Sequence, residues 1–209
     1  MIGFIGGTGN QGRALALRLA AAGEEVILGS RTLQKAEKVV ERIRAKRDGL
    51  RIRAGVNGDA AGGCDMVFVT LPYSSMKPAL EPLRDALRGK VLVDVINPIA
   101  GNQVRREISA SEELQALLPD SKVVCAFKNV SSVLLWDIER PVDVDSIVCS
   151  DHEDAKKRVI ALSERMGVPA VDGGPLSNAL ASELLTRLLL ELNRRYGVEA
   201  GVKIVSFKP

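Results

Sequence analysis

The chain opens Met1-Ile2-Gly3-Phe4-Ile5-Gly6-Gly7-Thr8-Gly9-Asn10-Gln11-Gly12 and passes at once into a helix-period segment, 11–22. An apolar run, a glycine turn and a helix in that order begin a βαβ unit. Gly7, Gly9 and Gly12 fit G-x-G-x-x-G in the context that gives it meaning, between a strand and a helix. Lacking side chains, the loop turns tightly and its backbone approaches a pyrophosphate closely. The helix N-terminus then offers free N–H groups and a positive dipole end to the phosphate charge. The loop is a candidate dinucleotide site.

Outward from it, short apolar runs alternate with helical segments. Residues 1–5, 25–28, 50–54, 66–71 and 91–96 read as strands, and 11–22, 33–46 and 76–87 as helices. The runs are apolar throughout rather than alternating, as expected of a parallel sheet covered on both faces. Two further runs, 123–127 and 144–149, are candidates to extend the sheet. Past Asp151 the rhythm changes. A helix to Met166 leads to a short run at 168–171, then Gly173-Gly174-Pro175, a leucine-rich segment 176–196 and an apolar stretch 202–207. The expected fold is a Rossmann-type doubly wound α/β domain over 1–150 with a small, mainly helical C-terminal domain over 151–209. Leu184, Leu185, Leu188, Leu189, Leu190 and Leu192 crowd nearly every side of one helix, more than a lone surface helix needs, which points to a homodimer.

At the end of the second run stands Gly29-Ser30-Arg31-Thr32, with Lys35 a turn further on. An NAD-binding unit normally places Asp or Glu there, holding the ribose 2′-hydroxyl. With no acid to repel a 2′-phosphate, Ser30 can donate a hydrogen bond, Arg31 can fork onto phosphate oxygens and Lys35 adds a point charge, so NADP is the expected nucleotide. The competing reading is a solvated helix start. Thr70-Leu71-Pro72-Tyr73 and Ile96-Asn97-Pro98 end later strands, where such a sheet lines its cleft. Tyr73 is placed on the adenine or ribose side and Lys77 near a phosphate.

Composition excludes much else. With 46% hydrophobic and 26% charged residues, the chain reads as a soluble globular protein expected in the cytosol, with no apolar run near the length of a membrane span. A net charge of +3 and 3% aromatic residues argue against nucleic acid. The single histidine, His152, lies in the acidic helix start Ser150-Asp151-His152-Glu153-Asp154, which removes histidine triads and multi-histidine metal sites. Cys64, Cys125 and Cys149 show no CxxC spacing and read as buried thiols. If this is an enzyme, most of its chemistry comes from a cofactor.

These pieces together resemble the NADPH-dependent reductases of the 8-hydroxy-5-deazaflavin coenzyme F420, over nearly the whole chain. The most telling matches are late: Asp172-Gly173-Gly174-Pro175-Leu176-Ser177-Asn178, and Asn193-Arg194-Arg195-Tyr196 leading to Ala200-Gly201-Val202-Lys203-Ile204. The resemblance implies hydride transfer between NADP(H) and the deazaflavin by a dimer. It places NADP contacts on Thr8, Gly9, Asn10, Gln11, Ser30, Arg31, Lys35, Tyr73, Lys77, Asn97 and Ser132, and deazaflavin contacts near Val130 and Ala200. One position departs: in Ala126-Phe127-Lys128-Asn129-Val130-Ser131, Lys128 stands where the family carries histidine. Lys128 is thus the candidate catalytic residue, as a proton donor or as a clamp for the coenzyme's anionic tail. The alternatives are an NADPH-dependent reductase of a carbonyl, imine, flavin or ferric chelate, and a regulator that senses NADP without turnover.

Overall fold

A computed structural model describes residues 1–98 and 107–205. Six strands, β1 (Ile2–Ile5), β2 (Val26–Ser30), β3 (Ile52–Val56), β4 (Met66–Val69), β5 (Val91–Asp94) and β6 (Lys122–Cys125), form one parallel sheet in the order β3-β2-β1-β4-β5-β6. The order reverses direction between β1 and β4, which opens a crevice at their C-terminal ends. Between the strands run α1 (Asn10–Ala21), α2 (Leu33–Arg44), α3 (Asn57–Gly63), α4 (Met76–Leu80), α5 (Arg84–Leu87) and α6 (Ala110–Leu117). Every residue of β1, β2, β4 and β5 is buried, because helices cover both faces. This is the expected Rossmann-type sheet.

The chain continues through α7 (Ser132–Trp136), β7 (Ser146–Val148), α8 (Glu153–Arg165), β8 (Ala170–Asp172) and α9 (Ala179–Tyr196), the helical C-terminal part. The run 144–149 does not extend the main sheet as expected. Its backbone pairs with β8 in a separate two-stranded sheet, and only the mutual amide bonds of Cys125 and Cys149, 2.9 and 3.0 Å, join it to β6. The expected helix 76–87 is also broken, into α4, a 3₁₀ turn at Glu81–Leu83 and α5. Pro82 explains the break, since it lacks an N–H and its ring crowds the carbonyl four residues back.

Two apolar layers hold the sheet. On one face Leu15 and Leu17 of α1 pack with Val159 and Leu162 of α8, in a single buried cluster that includes Phe4 and Phe68. Each such fully buried side chain contributes about 1.5–3 kcal/mol. A ring stack runs from Phe4 to Phe68 to Phe127, with centroids 4.8 and 6.0 Å apart. It ties the first strand to the turn after β6, where the site is built.

Candidate functional site: two cavities joined at Gln11

The glycine loop lies over the crevice because its neighbours leave no room for anything larger. A Cβ on Gly7 would come within 2.8 Å of Phe4 Cβ, and one on Gly12 within 2.8 Å of the Gly7 backbone. Beside Gly9 nothing lies within 4 Å of such an atom, so that position faces open space. The loop is held from below by Gly7 N donating to Gly29 O at 2.9 Å and from the side by Gly6 N donating to Asn57 Oδ1 at 3.1 Å. Asn57 sits at the C-terminal end of β3, as cleft residues of such sheets do. Its place after the third run was the signal for it.

This cleft has a volume of about 330 Å³ and runs from Thr8, Gly9, Asn10 and Gln11 to Ser30, Arg31 and Lys35. Among the described residues no Asp or Glu lines it to repel a 2′-phosphate, while Arg31 and Lys35 face it with two cations. The residues fit NADP. Two expected contacts are not brought to this cleft. Tyr73 donates its hydroxyl to Glu113 Oε2 at 2.6 Å, and the exposed Lys77 ammonium lies 3.8 Å from Glu81.

A second cavity, about 760 Å³, adjoins the first. Its walls are the 128–133 segment, the inner side of α9 through Thr186, Leu189 and Asn193, and the 197–200 stretch after the helix. Val130 and Ala200, expected on the deazaflavin side, both line it, as do Asn97 and Ser132, expected on the NADP side. Sequence reading missed Thr186 and quoted Asn193 only as part of a late motif, with no role in the site. Thr186 Oγ1 donates to Lys128 O at 2.9 Å, and Asn193 Oδ1 accepts from Ala200 N at 2.6 Å. Among the described residues, Gln11 alone is common to both cavities. Its Nε2 donates to Phe127 O and to Val130 O, each at 3.1 Å. Phe127 has φ 57°, the one non-glycine residue in the left-handed region among the described residues. For a bulky side chain that conformation costs roughly 1–3 kcal/mol and marks a turn imposed by its surroundings.

Lys128 corrects an expectation. Its side chain has no exposure, and Nζ donates to Asp94 Oδ2 at 2.7 Å, to Glu183 Oε1 at 2.9 Å and to the Ile96 carbonyl. Burial alone lowers an ammonium pKa, but Asp94, the Cys125 thiol and Glu183 outweigh it and hold Lys128 above the ordinary lysine value. Such a group neither donates a proton to a substrate nor reaches an anionic tail. Lys128 instead belongs to the site's framework, its ammonium through these bonds and its carbonyl by accepting from Asn97 Nδ2 at 2.9 Å and from Thr186. A second buried cation supports the same wall. Arg18 donates to the carbonyls of Leu134, Leu135, Asp137 and Arg140 at 2.7–3.0 Å, fixing α7 against α1.

His152 caps α8 without a capping side-chain bond, and its Nε2 lies 3.1 Å from Gln115 Oε1, away from both cavities. The three cysteines are buried and free. Among the described residues there is no cluster able to hold a metal ion and no helix long and apolar enough to cross a membrane.

A doubly wound sheet, a glycine loop at its switch point and an acid-free cleft opening on a second cavity define an NADP-dependent oxidoreductase. Residues 1–98 match the family model for NADP oxidoreductase, coenzyme F420-dependent. The chain is 41% identical to the F420-dependent NADP reductase of Methanothermobacter thermautotrophicus, over 98% of this chain and 94% of that one. With the enzyme of the same name from Methanocaldococcus jannaschii it shares 37% identity over 99% of both. A crystal structure from Arthrobacter sp. FB24, provisionally described as an F420-dependent NADP reductase, superimposes with a TM-score of 0.84 at 25% identity, covering 98% of this chain and 99% of that one. The chain belongs to the F420-dependent NADP reductase family.

Proposed function

We propose that this protein transfers a hydride between NADP(H), bound in the cleft from Arg31 to Gln11, and the deazaflavin F420, bound in the second cavity. The observation that carries the reading is the junction of the two cavities at Gln11. The chemistry itself, exchange of a hydride between nicotinamide C4 and deazaflavin C5, is supplied by the bound cofactors and needs proximity and orientation more than an acid or base. The protein's part is positioning. Gly7, Gly9 and Gly12 let the backbone reach the pyrophosphate, Ser30, Arg31 and Lys35 select the 2′-phosphate, and Val130, Ser132, Asn97 and Ala200 shape the space for the flat ring. Residues 1–150 thus supply the nucleotide cleft, and residues 151–209 supply the α9 wall opposite it.

The buried state of Lys128 supports this reading over reduction of a carbonyl or imine, because that chemistry calls for a proton donor at the acceptor and Lys128 was the candidate. Simultaneous binding is the test. Titration of the protein with F420 in saturating NADP⁺, followed in the visible spectrum, should show one deazaflavin per chain with affinity little changed by the nucleotide. Mutual exclusion of the two would contradict it.

We further propose a homodimer built on α9. The helix turns Ser182, Glu183 and Thr186 inward while Leu184 and Leu188 remain 56% and 55% exposed. Leu189 also packs inward, but the exposed Leu184 and Leu188 make an apolar strip that a monomer would leave in water. Sedimentation at micromolar concentration should give a dimer, and Leu184→Lys with Leu188→Lys should give a monomer. A monomeric wild type would contradict it.

A further inference from the structure

Gln11 has more to do than join two cavities. Both hydrogens of its Nε2 are committed, one to Phe127 O and one to Val130 O, each at 3.1 Å. Two acceptors on one side leave the amide a single orientation, since a flipped amide would set its oxygen against two carbonyl oxygens. The orientation is also rigid. Phe127 is fixed in its left-handed turn by ring contact with Phe68 and by its N–H on Ser146 Oγ at 2.9 Å, and Val130 is buried. Oε1 is therefore an acceptor aimed away from the turn, and no described residue donates to it.

Its surroundings limit what can use that acceptor. The adenosine end of the nucleotide is fixed by Arg31 and Lys35 at one end of the cleft, so the nicotinamide lies at the other, where Gln11 opens on the second cavity. At that end the nucleotide's one N–H donor is the carboxamide. We infer that Gln11 orients the nicotinamide by accepting the carboxamide N–H at Oε1, so that the ring turns a single face to the deazaflavin cavity. Gln11 is then a positioning residue whose own geometry is set by the strained Phe127 turn. The inference rests on the NADP reading above.

The test replaces the donor on the ligand as well as the acceptor on the protein. The 3-acetylpyridine analogue of NADP⁺ keeps the carbonyl and lacks the N–H. The wild-type protein should bind it about three- to tenfold more weakly than NADP⁺ in equilibrium titrations, the worth of one neutral hydrogen bond. Gln11→Met should weaken NADP⁺ by the same factor and bind both nucleotides alike. Gln11→Ala serves should the methionine variant not fold, and thermal unfolding establishes that each variant is folded. Equal wild-type affinities overturn the assignment, as does undiminished discrimination in the variants. So does an equal loss for both nucleotides on substitution with discrimination retained, which would assign Oε1 to a ribose hydroxyl. Each of these leaves the NADP site standing, whereas failure of the wild type to bind NADP⁺ at all would sink the underlying reading instead.

Discussion

Lys128 Nζ lies 2.9 Å from Glu183 Oε1 and thereby fastens α9, one wall of the second cavity, to the residue that begins the opposite wall. The same ammonium holds Asp94 at the end of β5. Asp94 in turn accepts from Ser111 Oγ at 2.6 Å, and Glu183 accepts from Ala110 N at 2.9 Å, which brings the start of α6 into the cluster. One buried cation therefore sets the spacing of three elements around the cavity. A buried pair is not by itself a large gain in stability, but breaking one is costly.

Replacing Lys128 by Met should accordingly cost about 3–5 kcal/mol, because Asp94 and Glu183 are left buried without their cation. Adding Glu183→Gln to that variant should restore part of the loss by removing one of the two stranded charges. Urea unfolding of wild type, single and double variants measures both effects. A Lys128→Met protein as stable as wild type would show that the cluster holds nothing together.

The same cluster gives stability two pH dependences of the same sign in separate ranges, one acid and one alkaline. Lys128 has a raised pKa in the fold, so its contribution is fully present at neutral pH and is withdrawn as pH climbs above the ordinary lysine value of about 10.4. Glu183 is raised by burial, against the pull of Lys128, so its ionisation withdraws stability as pH rises through the range just above the ordinary glutamate value of about 4.3. Glu183→Gln should abolish that acid-side loss and leave the alkaline one. Unfolding midpoints recorded from pH 4 to 11 on both proteins would show it, and parallel curves would contradict it.

Arg31 faces the cleft beside Lys35, with no carboxylate lining the site among the described residues. A charge-assisted bond to the 2′-phosphate contributes about 1.5–3 kcal/mol, so Arg31→Ala should weaken NADPH binding roughly 10- to 150-fold. NADH binding should barely change. Equal losses for both nucleotides would make Arg31 a structural residue.

How much of this was legible beforehand differs by residue. The loop from Gly7 to Gly12 and the stretch Ser30-Arg31 were readable because their chemistry is local: glycine spacing and the absence of an acid within a few positions. The α9 wall of the second cavity was not, because packing alone brings Thr186 to Lys128 across 58 residues. Lys128 misled for the same reason. As the one attractive proton donor in an inventory poor in histidine it looked catalytic, while Asp94 and Glu183, which bury it, stand 34 and 55 residues away. The late Gly-Pro-Leu-Ser-Asn segment forms the turn that leads into α9. Asp172 Oδ1 accepts from Gly174 N at 2.8 Å, Asn178 Nδ2 donates to Gly173 O at 2.7 Å, and Gly174 takes φ 86°, which favours glycine.

Val130 lines the second cavity and is buried, so a larger side chain there fills the space proposed for the deazaflavin ring. Val130→Trp should abolish deazaflavin reduction while leaving NADPH affinity within about tenfold, or 1.4 kcal/mol. Stopped-flow reduction and nucleotide titration on the same preparation separate the two. Retained reduction would place the ring elsewhere.

The central claim is that NADPH in the Arg31–Gln11 cleft delivers its hydride to a deazaflavin in the adjoining cavity. The most direct measurement mixes wild-type protein and NADPH with oxidised F420 and follows the coenzyme's visible absorbance. The absorbance should bleach with one F420 reduced per NADPH consumed, and excess NADP⁺ should return it from reduced F420. A protein that leaves F420 unbleached yet oxidises NADPH with a quinone, a flavin or a ferric chelate would contradict the account.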